Sequence, residues 1–541
     1  MKPINYFIAT FLLMIGTSCS DFLEKTPLTD LSSEYFWNTE QDLRIGLNKL
    51  YDNMENNMDY TLDCQTSDCF ANTGNDVSSG TYTPPNKDGV WTACYESIRI
   101  CNDVLENYEG AKVTDEVKNR YSGEARFFRA YFYYQLVKRF GDVPLVDHTL
   151  GLNDDILKES RTPKVQVWNF IIEDLEFAAA NIPAKSKIMN DLGRVTSGTA
   201  QSFLARIALY AGTYYKFSGE GDGNDFLKIA QEAAKAVIDS KEYSLYSDYR
   251  NLFLFPGNES CEDILAYHYA EEKGNMNEQT RKTIYDCDCE PTKYLADAFL
   301  GKDGLPIEKS AYAPQYLPLG TEFENRDPRM ALTLWKPGDD FSGEPFVPNL
   351  ANQTRTGYMF KKYGSEGAYN YVPACIYINK KLIRYAEVLL TYAEATYELN
   401  GSISDDDLNI SINLLRDRFA DDPNHLPHLT NAFVQTHGLN MRTELRRERR
   451  VEFAAEGMHY DDIIRWRTAE SELTRPILGA KFDTTAYPNV NPGTDIILDE
   501  NGFILSQNAG SRFFDTSKDY LFPLPIREIS LNSNLKQNPG W

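Results

Sequence analysis

Glu444-Leu-Arg-Arg-Glu-Arg-Arg-Val-Glu-Phe-Ala-Ala-Glu-Gly457 carries a carboxylate at every fourth position: Glu444, Glu448, Glu452 and Glu456. This spacing lines side chains along one face of an α-helix, where like charges repel unless cations stand between them. Arg447, three residues after Glu444, and Arg449, three before Glu452, are placed to supply those cations. The stretch predicts a helix over 441–455, followed by another over 459–466. A metal site or an acid–base pair would draw on the same residue types, but we read the row as an ion-pair network locking a helix to its neighbours.

Apolar residues at helical spacing recur on both sides of this stretch. They predict helices near 40–58, 89–107, 114–139, 165–180, 196–216, 225–240, 381–399 and 406–420, so the fold class is mainly α. Small residues stand where two helices must approach closely: Ala125 and Ala130; Ala200, Ala205, Ala208 and Ala211; Ala386, Ala393 and Ala395. Such pairs predict TPR-like stacking of helical hairpins, although no strict period of about 34 residues survives. Residues 60–88 and 245–375 are different, being rich in Gly, Pro, Asn, Asp and Tyr. Long irregular segments in a compact body usually carry function. We expect one body over 19–541, with a helical scaffold over about 30–245 and 376–541 and a loop-rich ligand-binding portion over about 60–88 and 245–375.

The two ends are distinctive. Lys2, the apolar run Tyr6–Ile15 and the small residues Gly16-Thr-Ser18 before Cys19 form an export signal over residues 1–18. The run is well short of the ~20 apolar residues of a membrane-spanning helix. Cysteine after small residues predicts cleavage before Cys19 and lipidation of its thiol, with Gly16 standing where an aliphatic residue is usual; ordinary secretory cleavage is the alternative. At the other end, Asn538-Pro-Gly-Trp541 closes an apolar, proline-fixed tail. A terminal Trp gains burial only if the tail is laid back on the body, so docking is expected.

Lys and Arg total 55 against 79 Asp and Glu, a net charge of −24, which excludes the nucleic-acid backbone as a partner. Six histidines, with no His-Glu-x-x-His, Gly-x-Ser-x-Gly or phosphate loop, leave no recognisable catalytic constellation, and we expect no enzyme. A glycosidase would need two carboxylates facing across a cleft, which inspection of so acidic a sequence does not exclude. Beyond Cys19, cysteines stand at 64, 69, 94, 101, 261, 287, 289 and 375. An exported chain can form disulfides, but pairing is not deducible, and buried thiols are the plainer expectation. Cys287-Asp-Cys289 lacks the further ligands of a zinc site, so no metal site is expected. The sequence indicates no cofactor and leaves calcium open.

Five segments together resemble the SusD/RagB family of surface glycan-binding lipoproteins. They are Glu124-Ala-Arg-Phe-Phe-Arg-Ala-Tyr-Phe-Tyr-Tyr-Gln-Leu-Val-Lys-Arg-Phe-Gly-Asp-Val-Pro-Leu145, Gly193-Arg-Val-Thr196 leading to Ala205-Arg206, Ile383–Ala395, Glu444–Gly457 running on to Asp461-Asp-Ile-Ile-Arg-Trp466, and the tail Tyr520–Trp541. The resemblance implies four TPR-like units beside a variable, loop-rich half. It further implies an outer-membrane, cell-surface lipoprotein that captures oligosaccharide or polysaccharide and delivers it to a SusC-like TonB-dependent transporter. Its RagB side offers a peptide or other nutrient as the alternative ligand; a secreted hydrolase is the remaining one.

A neutral sugar presents an apolar CH face fringed with hydroxyls, so its receptor needs flat rings and planar polar groups. Candidates in the first irregular segment are Asp63, Asn72, Asn75, Asp76 and Tyr82, and in the second His268, Asn277 and Tyr285. Tyr82 and Tyr285 are the preferred stacking platforms. Trp91 opens a helix with core spacing, and Arg126, Arg129, Arg384, Glu387 and Glu394 read as interhelix ion pairs.

Overall fold

The structure is a computed structural model describing residues 36–54, 62–71, 74–151, 153–189, 191, 193–271, 276–278, 280–282, 286–341, 343–350, 354–364 and 376–541. Helices dominate: α1 (Glu40–Asp52), α2 (Gly89–Asn107), α3 (Asp115–Phe140), α4 (Lys164–Asn181), α5 (Ser197–Ser218), α6 (Asn224–Ser240), α7 (Tyr385–Asn400), α8 (Ile412–Asp417), α9 (Met441–Glu452) and α10 (His459–Arg465). Their starts follow capping chemistry, in which a short polar side chain takes up an otherwise orphaned N–H. Thr39 forms a capping box with Asp42, and Asp88, Thr114, Thr196 and Asn440 cap α2, α3, α5 and α9. Gly219 and Gly401, both left-handed, end α5 and α7.

Neighbours in sequence pack in order: α2 on α3, α3 on α4, α4 on α5, α5 on α6 and α6 on α7, a TPR-like stack. The alanines singled out from sequence are all buried in it. At the α5–α6 turn a Cβ on Gly223 would stand 2.0 Å from the carbonyl oxygen of Gly212, so the hairpin closes only on glycine. α3 is buried on nearly every side, and its aromatic run from Phe127 to Tyr134 lies at the centre of the main core. No helix among the described residues is long and apolar enough to cross a membrane.

Two segments differ from the expected helices. Residues 380–384 are a strand, because Lys380–Arg384 (β4) pairs antiparallel with Asp263–Tyr267 (β2) and the helix begins only at Tyr385. Residues 406–420 split at Ser411 into Asp405–Asn409 and α8. The two irregular segments meet where Cys69–Ala71 (β1) pairs with Cys289–Pro291 (β3). Ile477–Lys481 (β5) and Phe503–Gln507 (β6) form another antiparallel ribbon, which lies against the loop-rich half: Ala480 N–H donates to Thr356 O at 2.7 Å, and Ile504 packs with Leu350 and Phe482.

The tail is docked. Buried Asn538 donates from Nδ2 to the carbonyls of Phe140 (3.0 Å) and Phe522 (2.7 Å) and accepts from Arg161 at 2.7 Å. Trp541 Nε1 donates to Leu521 O at 2.9 Å, and Lys518 Nζ lies 4.3 Å from the indole centre. Gly540, at φ +83°, allows the final turn over Lys518.

Candidate functional site

The carboxylate row is a buried lattice of charge. Glu448 accepts from Arg329 (2.9 Å) and Arg416 (2.7 Å). Glu452 accepts from Arg384 (2.8 Å), Arg418 (3.1 Å) and Arg329 (3.2 Å), and Glu456 from Lys362 (2.6 Å) and Arg384 (2.8 Å). Glu262, ahead of β2, completes the lattice with Arg384 and Arg418. Arg447 pairs with Glu444 as its spacing predicts, whereas Arg449 turns to Asp462 of α10. The helix stops at Glu452, so Glu456 joins the lattice from beyond its end. Burial works to raise the Glu452 carboxyl, but Arg418, Arg384 and Arg329 overcome it and hold the group well below the ordinary range. The other expected pairs form too: Arg206 with Glu387, Arg465 with Glu394, and Arg126 and Arg129 with Asp174. These groups have their partners, which leaves them to hold helices together.

The sequence candidates separate into distinct places. Asn72, Tyr285 and the lipidation residue Cys19 lie outside the described residues. Asp63 is buried and accepts the Gly457 N–H at 3.2 Å. Asn277 is buried, donating to Ile378 O at 2.8 Å, and its backbone pairs with Ile376. Both side chains are therefore turned to the protein rather than to an accessible hollow. Tyr82 is half-buried among Phe522, Trp541 and Arg139, whose guanidinium donates to its hydroxyl at 3.3 Å, so its ring is part of the tail's dock. Asn75 and Asp76 remain beside solvent. The Asn75 amide oxygen accepts from the N–H groups of Val77 (3.0 Å) and Ser78 (3.1 Å), and Asp76 accepts from the Thr81 hydroxyl at 3.1 Å, fixing the turn over 75–81.

His268 lines a hollow of about 540 Å³ between the α4–α5 connection, Glu242 and β2. Its floor is aliphatic, from Ile188, Met189, Ile264 and Ala266, and no Phe, Tyr or Trp among the described residues lines it. Most of its carboxylates are engaged: Asp191 by Arg44 and Arg120, Asp263 by Lys381, and Glu242 by Ser186 and the Lys185 N–H.

The rings that face solvent lie elsewhere. Phe513 is 57 % exposed and packs directly on Gly80, where an added Cβ would come within 2.9 Å of the Phe513 Cβ. Gln507 Nε2, from β6, reaches Ser79 Oγ at 3.3 Å and ties the same two segments together. The Phe513 backbone oxygen and Cβ therefore abut Gly80 in the turn over 75–81, and its largely exposed side chain leaves the body next to that polar turn. A second ring set pairs Tyr316 edge-on with Phe503 at 5.0 Å, with Lys293 and Lys481 over the Phe503 ring. Sequence reasoning passed over Phe513 because it lies in the C-terminal third, far from the irregular segments; the polar Ser511-Arg-Phe-Phe-Asp515 context was the available signal.

The model of the SusD family matches residues 261–541, more than half of the chain. The chain belongs to the SusD family. A second family model, described as starch-binding associating with the outer membrane, matches residues 21–209. The SusD-like protein P2 of Formosa agariphila is 26 % identical over 574 residues, covering 99 % of both chains, and a SusD-like protein of Bacteroides ovatus is 24 % identical over 86 % of this chain and 83 % of its own. Among solved structures, a SusD-like carbohydrate binding protein from Bacteroides fragilis superposes with a TM-score of 0.76 at 24 % identity, covering 93 % of this chain and all of that one. A laminarin binding SusD-like protein gives a TM-score of 0.63 at 20 % identity, covering 93 % of this chain and all of the other. At these identities the structural likeness is one of fold.

Proposed function

We propose that this SusD-family protein is a cell-surface glycan-binding lipoprotein of the outer membrane. It captures oligosaccharide or polysaccharide and delivers it to a SusC-like TonB-dependent transporter, making and breaking no bonds itself. The observation that carries the sugar reading is the exposed Phe513, whose backbone abuts Gly80 in the polar turn over 75–81. A pyranose CH face stacks on such a ring while its hydroxyls meet the polar border, the division of labour a neutral sugar requires. Tyr285 is proposed as a further platform. The family description, with its association to the outer membrane, supports the location, and the Cys19 leader supports a lipid tether. Relatives described as binding laminarin or surface glycan support the ligand class.

The hollow at His268 favours the second reading, a peptide receptor, since Asp191, Glu242, Glu259 and Asp263 all line it. Asp191 and Asp263 already meet Arg44, Arg120 and Lys381, which leaves only Glu242 and Glu259 to attract a cationic ligand. Binding of purified protein to a panel of plant, microbial and host polysaccharides, measured by affinity electrophoresis and calorimetry, tests the proposal. Phe513→Ala should weaken binding at least tenfold. Unchanged affinity would move the site away from Phe513, and release of reducing ends by the protein alone would make it a hydrolase.

A further inference from the structure

Three cysteines converge where the two irregular segments meet. Cys64 and Cys289 are 225 positions apart in sequence, yet their sulfurs stand 2.9 Å from each other. That is under an ångström longer than the ~2.05 Å of a disulfide bond. The Cys69 thiol hydrogen bonds to the same Cys289. All three are buried in a small core with Leu295, Phe299 and Ala454. Cys287, only two residues from Cys289, is not part of the cluster: its backbone takes the left-handed conformation at φ +48° and its sulfur turns to Met359, 3.6 Å away. No group of His, Cys, Asp and Glu among the described residues is disposed to hold a metal ion.

We propose that Cys64 and Cys289 form a disulfide in the exported protein, with Cys69 remaining a thiol packed against it. The strand register decides between the two possible partners of Cys289. Cys69 faces Pro291 across the β1–β3 pair and Ala71 faces Cys289. Cys69 is therefore a diagonal neighbour of Cys289. Diagonal neighbours are typically ~7–8 Å apart at Cα, beyond the ~4.4–6.8 Å usual for a disulfide. Cys64, in the turn ahead of β1, is not held to that register, and its sulfur already makes the close approach.

The oxidant required is a protein or small-molecule disulfide of the export pathway. A thiolate of one cysteine attacks the donor's S–S bond to give a mixed disulfide, and the other cysteine displaces the donor. The two protein thiols lose two protons and two electrons, and the donor leaves as two thiols. Burial of both sulfurs places this step during folding, before the core with Phe299 closes. The bond would tie the segment leading into the Asn75–Tyr82 turn to β3, and so fix one irregular segment on the other.

The proposal rests on the export reading, because disulfides persist in oxidising compartments. The chain is expressed with its own leader, blocked with N-ethylmaleimide before lysis, digested without reductant and mapped by mass spectrometry. The expected result is a cross-linked Cys64–Cys289 peptide, with Cys69 alkylated only after denaturation. Envelope-fraction protein in which Cys64 and Cys289 are both alkylated upon denaturation overturns the bridge, as does Cys289 joined to Cys69. Protein retained in the cytosol counts against export instead. The bridge is then tested by refolding the reduced chain in a glutathione redox buffer, where absence of the Cys64–Cys289 peptide overturns it. Cys69→Ser should retain the cross-linked peptide. Cys64→Ser should lower the Tm of non-reduced protein, and dithiothreitol should lower that of the parent chain by a similar amount.

Discussion

Glu452 in the helical half and Glu322 in the loop-rich half are both buried, yet they hold their protons in opposite ways. Three guanidiniums surround Glu452 and drive its carboxyl down. At Glu322 burial prevails and raises the carboxyl to about 7, opposed by the Tyr358 hydroxyl, which donates at 2.7 Å. Arg326 lies nearby, but its donors go to the carbonyls of Glu322, Ala296 and Phe299 rather than to the carboxylate. The contrast separates two building methods. The helix carrying Glu452 is cross-braced by charge from several elements at once, Arg329 of the loop-rich half among them, while Glu322 is held by a hydroxyl and, among the described residues, has no guanidinium on its carboxylate.

The largest effect should come from breaking the brace. Glu452→Gln removes the carboxylate that Arg384, Arg418 and Arg329 share and leaves them to Glu262, Glu456, Asp327 and Glu448; breaking a buried ion pair costs about 3–5 kcal/mol. Urea unfolding should show that loss, and a change under 1 kcal/mol would mean the lattice contributes little to stability.

The two halves should then answer pH with opposite slopes, each worth up to about 3 kcal/mol. Burial works to raise the Glu394 carboxyl, but Arg465 outweighs it and lowers the group from 4.5 to about 2. Its contribution is complete above about pH 4.5 and is lost as pH falls towards 2. Glu322 is raised from 4.5 to about 7, so its contribution is complete below about pH 4.5 and is lost as pH rises through 7. Glu322→Gln should therefore stabilise the protein at pH 8 and not at pH 4. Melting curves of parent and variant across pH 3–8 check both signs, and an equal gain at both pH values would refute the Glu322 assignment.

A smaller loss, about 2 kcal/mol, is expected for Asn538→Ala, which leaves the carbonyls of Phe140 and Phe522 without a donor. The smallest is Phe513→Ala, whose ring is mostly in water; its stability should stay within about 0.5 kcal/mol while glycan affinity falls. A large drop in Tm with intact affinity would show that Phe513 belongs with the scaffold.

Much of the helical half was legible because local spacing carries it. Caps at Thr39, Asp88, Thr114 and Thr196 and the buried alanines of α5 and α7 are short-range signals. The strand at Lys380–Arg384 was not, since its apolar spacing suits a helix and only pairing with β2 turns it extended. The candidate site was less legible still. Tyr82 looks in sequence like a loop tyrosine open to sugar, and the chain's own last residue occupies its edge. Phe513 gained its place against Gly80 through a contact spanning more than four hundred residues.

The sequence by itself determined that the chain is a stack of amphipathic helices with a row of carboxylates on one of them and a tail laid back on the body, because spacing, capping and the burial demanded by a terminal Trp are local properties. Only the tertiary structure decided which cations serve the row, which rings stay in solvent and which cysteines meet. Those outcomes depend on where distant segments pass one another. Arg329, Arg384, Arg416 and Arg418 reach α9 from three other parts of the chain, and no spacing within α9 could have named them.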